Sequence, residues 1–313
     1  MTLNKWFRLL FCLVMLASAL PAAARQLDYS AQKIGAMQQL SYRYQGYDGQ
    51  PQAVTFMVNG RALQEGAAQF QPFDRDALQN YTVEYLQHYA GQMRGVQVSV
   101  DRMGDTVGFN AIGSSDEQVQ SAIEIMKKRS EEAEDNFLYP RYLVKDTTGK
   151  YIMPDHIRVA SDYVRLMRPI ARALLNQAPD KSPRGAVNAV LNFVQSIPYD
   201  TLQNRSTSNG SGFATPYGMI QMNKGDCDTK SVAVLSMLRA LYPNMPVAMI
   251  YTSEHAFVGI DVPAASGDRI LTIERKVYVL AEPAGPGLLP LGNVSNRSSE
   301  DLDRGYFSYV VMP

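Results

Sequence analysis

Residues 221–242, QMNKGDCDTKSVAVLSMLRALY, constrain the chain more than any other stretch. A Gly-Asp-Cys-Asp step, Gly225 to Asp228, leads straight into a run with apolar positions at Val232, Val234, Leu235, Met237, Leu238 and Leu241. A helix that is apolar on most sides has to be covered on most sides. The segment therefore predicts a central helix, ended by Pro243, whose ring and missing N–H stop it. Cys227 falls in the first turn of that helix, where the positive end of the dipole favours a thiolate, the form that attacks carbonyls. Gly225 lets the backbone bend sharply and approach another molecule closely. The competing reading is a buried structural cysteine, one of the most buried residue types.

The rest of the sequence bears on that choice. Lys5 and Arg8, the apolar run Leu9 to Leu20 and the small residues Ala22-Ala23-Ala24 have the layout of a cleavable export signal. The run is too short for a stable membrane span. Residues 1–24 are therefore read as a signal peptide, and the mature chain as periplasmic or secreted, with no membrane span. Of the two cysteines, Cys12 lies in that signal, which leaves Cys227 alone in the mature chain. Exported proteins normally pair their cysteines, so a lone thiol in such a turn points to a working group. With Lys5 and Arg8 removed, 28 basic residues face 30 acidic ones. That balance gives no support for nucleic-acid or anionic-membrane binding.

The 289 residues after Ala24 suggest two domains or one large one. Residues 26–36 read as a short helix or lead-in. Leu40 to Tyr44 and Ala53 to Val58 alternate around the turn Gly46 to Gly49, which is a hairpin pattern. Asp74 caps a helix to about Met93, and Val96 to Val100 with Val107 to Ala111 form a second hairpin. A capping sequence at Ser114 to Glu117 opens a helix ending near Phe137. Residues 25–137 thus form an α+β domain of unknown role, open to a partner. Residues 138–313 form a second domain. Its helices run from His156 to about Gln177, where Pro169 predicts a kink or break, and from Gly185 to Ile197. The polar stretch 200–216 reads as a mobile surface loop, a candidate lid. Strands follow at Pro246 to Tyr251, His255 to Asp261, Ile270 to Ile273 and Lys276 to Ala281, with a last one at Tyr306 to Met312.

A thiolate acyl enzyme needs a base, a group orienting the base, and donors for the oxyanion. There are three histidines. His88 lies on an amphipathic helix and His156 at a helix start, both read as structural. His255 stands in a strand 28 residues after the thiol. Glu282 ends a long strand 27 residues further on and is the leading orienting acid. Asp261 is about 20 Å along the strand from His255 at strand rise, and Glu254 points to the opposite face. Glu274 and Asp268 remain open, although both read as turn or surface residues. The Cys227 backbone N–H is one oxyanion donor, and the Gln221 side chain is a candidate second. Scattered histidines and one thiol offer no metal set, and no calcium loop is present, so no cofactor is expected.

Four features occur in order: a helix ending near a tyrosine (Val194 to Tyr199), the Gly225-Asp-Cys227 step, a strand with His255-Ala-Phe257, and a strand ending in Glu282-Pro283. Over roughly residues 140–290 they resemble the transglutaminase-like superfamily of papain-fold cysteine enzymes. The resemblance implies an α+β, papain/transglutaminase-like core of helices packed on an antiparallel sheet. It also implies Cys227 as nucleophile, His255 as base and Glu282 as the residue orienting His255. The chain departs in having Glu where the family usually has Asp, and in a short segment between Cys227 and His255. Acyl chemistry at an amide through a thioester follows, with a protein or peptide as substrate. Exported bacterial relatives are linked to proteolysis, which favours hydrolysis. Transglutaminase-type acyl transfer and a non-catalytic binding module that keeps the fold are the alternatives.

Overall fold

The structure, a computed structural model, describes residues 25–146, 148–285 and 287–313; the signal read at residues 1–24 lies outside the described residues. The chain is α+β, and its sheets are antiparallel. The first sheet joins β1 (Gln26–Ile34), β2 (Met37–Gln45) and β3 (Pro51–Asn59) in that order. The expected hairpin is β2–β3, with Leu40 opposite Phe56 and Tyr42 opposite Val54. Alternate side chains point to one face of a strand, and Leu40, Tyr42, Tyr44, Val54, Phe56 and Val58 are accordingly buried together. Residues 26–34 are a strand and not the helix or lead-in expected. Both of its faces are largely exposed, so its sequence has no apolar alternation to read. Gly35, at φ 61°, turns it back onto β2.

Helix α1 (Gly60–Ala68), capped by Asn59, was not foreseen. Helix α2 (Arg75–Ala90), β4 (Val96–Met103), β5 (Thr106–Gly113) and α3 (Asp116–Leu138) follow the expected order, with Asp74 and Ser115 as caps. They enclose a small cluster of their own around Leu86, Val100 and Met126. A short hairpin, β6 (Leu143–Lys145) with β7 (Ile152–Pro154), leads to the later helices.

Those helices are α4 (His156–Gln177), α5 (Pro183–Ser196), α6 (Pro216–Met222) and α7 (Cys227–Leu241). Helix α4 passes through Pro169 without the break that the sequence suggests. Its buried face, which includes Val159, Tyr163, Met167 and Ile170, belongs to the main core, and α4 packs against α7. Residues 200–216 are not a free loop: Leu202 and Phe213 are wholly buried, and Phe213 packs edge-on to Phe70 at 4.9 Å. The loop is tacked down near both ends by apolar side chains.

The second sheet has the order β10 (Ile270–Ile273), β11 (Lys276–Ala281), β9 (Ala256–Ile260), β8 (Val247–Tyr251), β12 (Ser308–Val311). Val247, Met249, Val258, Ile260, Val279 and Ala281 join the main core with α7. Ile250, Phe257 and Leu280 join a separate cluster with Leu302 of α8 (Asn296–Asp303). Coverage on both faces explains the unbroken apolar runs of β8 and β9, since a strand hidden on two sides has no polar face to alternate with. The main core is continuous from Leu40 to Met312. Phe193 of α5 stands at 5.0, 5.9 and 6.2 Å from the rings of Tyr42, Tyr44 and Phe56, which ties the first sheet to the later helices.

Candidate active site

Cys227 is the first residue of α7 and the free cysteine of the described chain. Asp226 caps the helix, accepting a bond from the Thr229 N–H at 3.1 Å. Burial pushes the Asp226 carboxyl well up, and Asp228 nearby pushes it further. Gly225 does not have a positive φ. Space around it is tight: a Cβ there would sit 3.1 Å from Thr229 Cγ2 and 3.2 Å from Met219 Cγ. Its N–H donates to Pro198 O at 3.1 Å and its carbonyl accepts from Asp200 N–H at 3.2 Å, so residues 198–200 run beside the turn. Tyr199 stands there, half exposed; partial burial raises its pKa, and Cys227, Asp226 and Asp228 add to the effect. Lys230, wholly buried one turn into α7, donates to Ile197 O at 2.5 Å and joins the end of α5 to the start of α7. Burial pulls its pKa down to about 7 against the pull of Asp226.

His255 immediately precedes β9 and Glu282 immediately follows β11. These strands are neighbours with Ala281 opposite Val258, which brings the two side chains together. His255 Nε2 lies 2.6 Å from Glu282 Oε1. The ring N–H does not meet hydrogen-bond geometry toward that oxygen, so the contact is a close, bent ion pair rather than a linear bond. The Cys227 thiol is close enough to the same ring to act on its charge. Burial works to lower the imidazole pKa; the thiol and the carboxylate more than offset it, and the result is pushed up to about 9. For Glu282 burial works upward, but His255, the Ser295 N–H and Ser298 hold the carboxyl below its ordinary value.

The support around Glu282 comes from residues that the sequence reading missed. Ser295, the cap of α8, gives its N–H to Oε2 at 2.5 Å and its hydroxyl to Oε1 at 3.1 Å. Ser298 gives its hydroxyl to Oε1 at 2.9 Å. The carboxylate thus sits at the positive end of α8, where a negative charge is stabilised. Gln195 of α5, itself buried, donates to Glu282 O at 2.9 Å and Leu289 O at 2.8 Å, and accepts from the Tyr47 hydroxyl at 3.1 Å. A serine ahead of a helix is a cap signal, but α8 was not read from the sequence, and nothing in the sequence shows which carboxylate Ser295 serves.

The structure sets Glu282 beside His255, with Cys227 near the same ring, and places Asp268 and Glu274 elsewhere. Asp268 pairs with Arg184 at 2.5 Å. Glu274 and Arg275, at φ 48° and 69°, form the tight turn between β10 and β11. Gln221, next to last in α6 and exposed, lines a groove of about 600 Å³ with Tyr29, Lys33, Leu40 and Arg61. His255 and Glu282 instead line a different cleft of about 500 Å³, with Thr252, Glu254, Leu289 and Arg297. The His255–Glu282 pair opens into the second cleft; Cys227 is not among the residues that line it. His88 is exposed on α2 beside Tyr89. Among the described residues there is no group of three or more His, Cys, Asp or Glu placed to hold a metal, and no helix long and apolar enough to cross a membrane. A thiol facing an imidazole that a carboxylate holds can lose its proton to that ring and attack an electrophilic carbon. No family model, curated protein or solved structure matches this chain.

Proposed function

We propose that this chain is an exported thiol enzyme of transglutaminase-like, papain-type architecture that hydrolyses an amide of a protein or peptide. The meeting of Cys227, His255 and Glu282, from the starts or ends of three elements and with 2.6 Å between Nε2 and Oε1, carries the reading. Their roles follow from position. The Cys227 thiolate attacks the carbonyl carbon, and its own backbone N–H, left without an intrahelical acceptor at the helix start, faces the developing oxyanion. The imidazolium of His255 gives its proton to the departing amine as the C–N bond breaks and a thioester forms. His255 then takes a proton from water, which opens the thioester and returns the thiol. Glu282 keeps the ring oriented and supports its positive charge in the attacking ion pair. Gln221, which lines the other groove, is not assigned a role in this scheme.

The test is alkylation of the mature protein by iodoacetamide between pH 5 and pH 9, wild type beside His255→Ala. The expected result is a thiol that already reacts at pH 6 and loses most of that reactivity in the variant. A thiol that reacts only after unfolding, or ignores His255, would return Cys227 to a structural role and the chain to a binding module. Once an amide substrate is found, released ammonia or free amine measured against incorporated amine separates hydrolysis from acyl transfer.

A further inference from the structure

The first turn of α7 carries a second set of polar groups that the scheme above does not use. His156, the first residue of α4, is 4% exposed. Its Nε2 lies 3.0 Å from Asp228 Oδ2 and its Nδ1 lies 2.9 Å from the Tyr251 hydroxyl. Phe213 closes edge-on over the ring at 5.0 Å. With a carboxylate at Nε2, that nitrogen carries the proton, and in the neutral ring Nδ1 accepts from the tyrosine.

Each partner adjoins one half of the thiol–imidazole pair. Asp228 follows Cys227 directly. Tyr251 ends β8 opposite Ala256, the residue after His255, and the next residue, Thr252, donates its N–H to His255 O at 2.9 Å. One buried imidazole therefore spans from the turn that carries the thiol to the strand end that carries its base. Cys227 and His255 are themselves only partly buried, so packing alone does not fix them. We propose that His156 is a positioning residue that, through Asp228 and Tyr251, sets the spacing between Cys227 and His255. The proposal rests on the Cys227–His255 reading above.

The spacing matters because proton transfer and attack tolerate little misplacement; a shift of about 1 Å can cost on the order of a hundredfold. The experiment is alkylation by iodoacetamide at pH 6 and pH 9.5 for wild type, His255→Ala, His156→Ala, His156→Gln and Tyr251→Phe, with circular dichroism as a check on folding. At pH 6 reaction depends on the paired imidazole; at pH 9.5 a free thiol, with its ordinary pKa of about 8.5, ionises unaided. His156→Ala is expected to lower the rate at pH 6 by about tenfold and at pH 9.5 by less than twofold. Tyr251→Phe, which removes only a hydroxyl, is expected to lower the pH 6 rate by about threefold. His156→Gln, whose amide can still donate to Asp228, should restore at least half of the loss.

A loss equal at both pH values, or one that glutamine does not restore, marks a packing defect and overturns the proposal. Should His156→Ala not fold, Tyr251→Phe decides: a pH 6 rate within twofold of wild type overturns it and a threefold fall supports it. Slowing in His255→Ala with none in the His156 and Tyr251 variants refutes this proposal alone. Indifference to His255→Ala refutes the thiol–imidazole reading with it.

Discussion

Glu282→Gln keeps the shape of the side chain and removes its charge, so it isolates what the carboxylate does for His255. Glu282 is 4% exposed and the His255 side chain 23% exposed, so solvent screens their 2.6 Å contact only partly. The imidazole is raised from 6.5 to about 9, with Cys227 and Glu282 together overcoming the opposing effect of burial. That difference corresponds to about 3 kcal/mol favouring the charged ring, at about 1.4 kcal/mol per pH unit. Giving Glu282 about half leaves about 1.5 kcal/mol, or roughly one pH unit. The assay is an NMR titration of the histidine ring Cε1–H signals, tractable because the chain has three histidines. The expected wild-type midpoint for His255 is near 9. In Glu282→Gln it falls by about one unit, and the alkylation rate at pH 7 falls by up to about tenfold. A wild-type midpoint at the ordinary value, or one that ignores the substitution, refutes this account of the pair.

The same pair sets a window of stability. A base raised in the folded state stabilises fully below its unfolded value and loses that contribution as pH climbs through about 9. An acid that is lowered contributes above its ordinary 4.5 and loses the contribution as pH falls below it. Thermal midpoints of Glu282→Gln should therefore fall short of wild type most between about pH 5 and pH 6.5, with the shortfall fading as pH rises toward 9; an equal shortfall at pH 3 counts against the pair. Gly225→Ala forces a methyl to within 3.1 Å of Thr229 Cγ2 and should cost about 1–3 kcal/mol in urea unfolding; an unchanged midpoint means that the turn relaxes freely. Phe193→Ala empties the junction between the first sheet and α5 and should cost about 3–5 kcal/mol. A loss under about 1 kcal/mol would mean that the first sheet adds little to the main core.

Much of the local structure was legible. Helix α4 begins and ends where its pattern does, and β10 and β11 fall on the residues that their alternation marks. The cap Asp74 and the capping sequence at Ser114 to Glu117 hold their helices. Strand β1 was not legible because it is exposed on both faces. Helix α6 is one short run of seven residues, too brief to show a period. His156 looked like an ordinary residue at a helix start; its two partners lie 72 and 95 residues away in the chain.

The sequence by itself determined a central apolar helix with one unpaired thiol in its first turn, the hairpins, and a histidine and an acid at strand ends downstream. Periodicity, caps and breakers act within about one element's length, so they are written in neighbouring residues. Only the tertiary structure decided that Glu282, and neither Asp268 nor Glu274, faces His255. It also placed the α8 cap on that carboxylate and Gln195 on the Glu282 backbone carbonyl, with Gln195 87 residues from its partner and Tyr47 another 148 from Gln195. Such groups are brought together by burial of a shared core. A buried carboxylate or imidazole needs partners wherever the fold can supply them, and no local pattern records which residues those are.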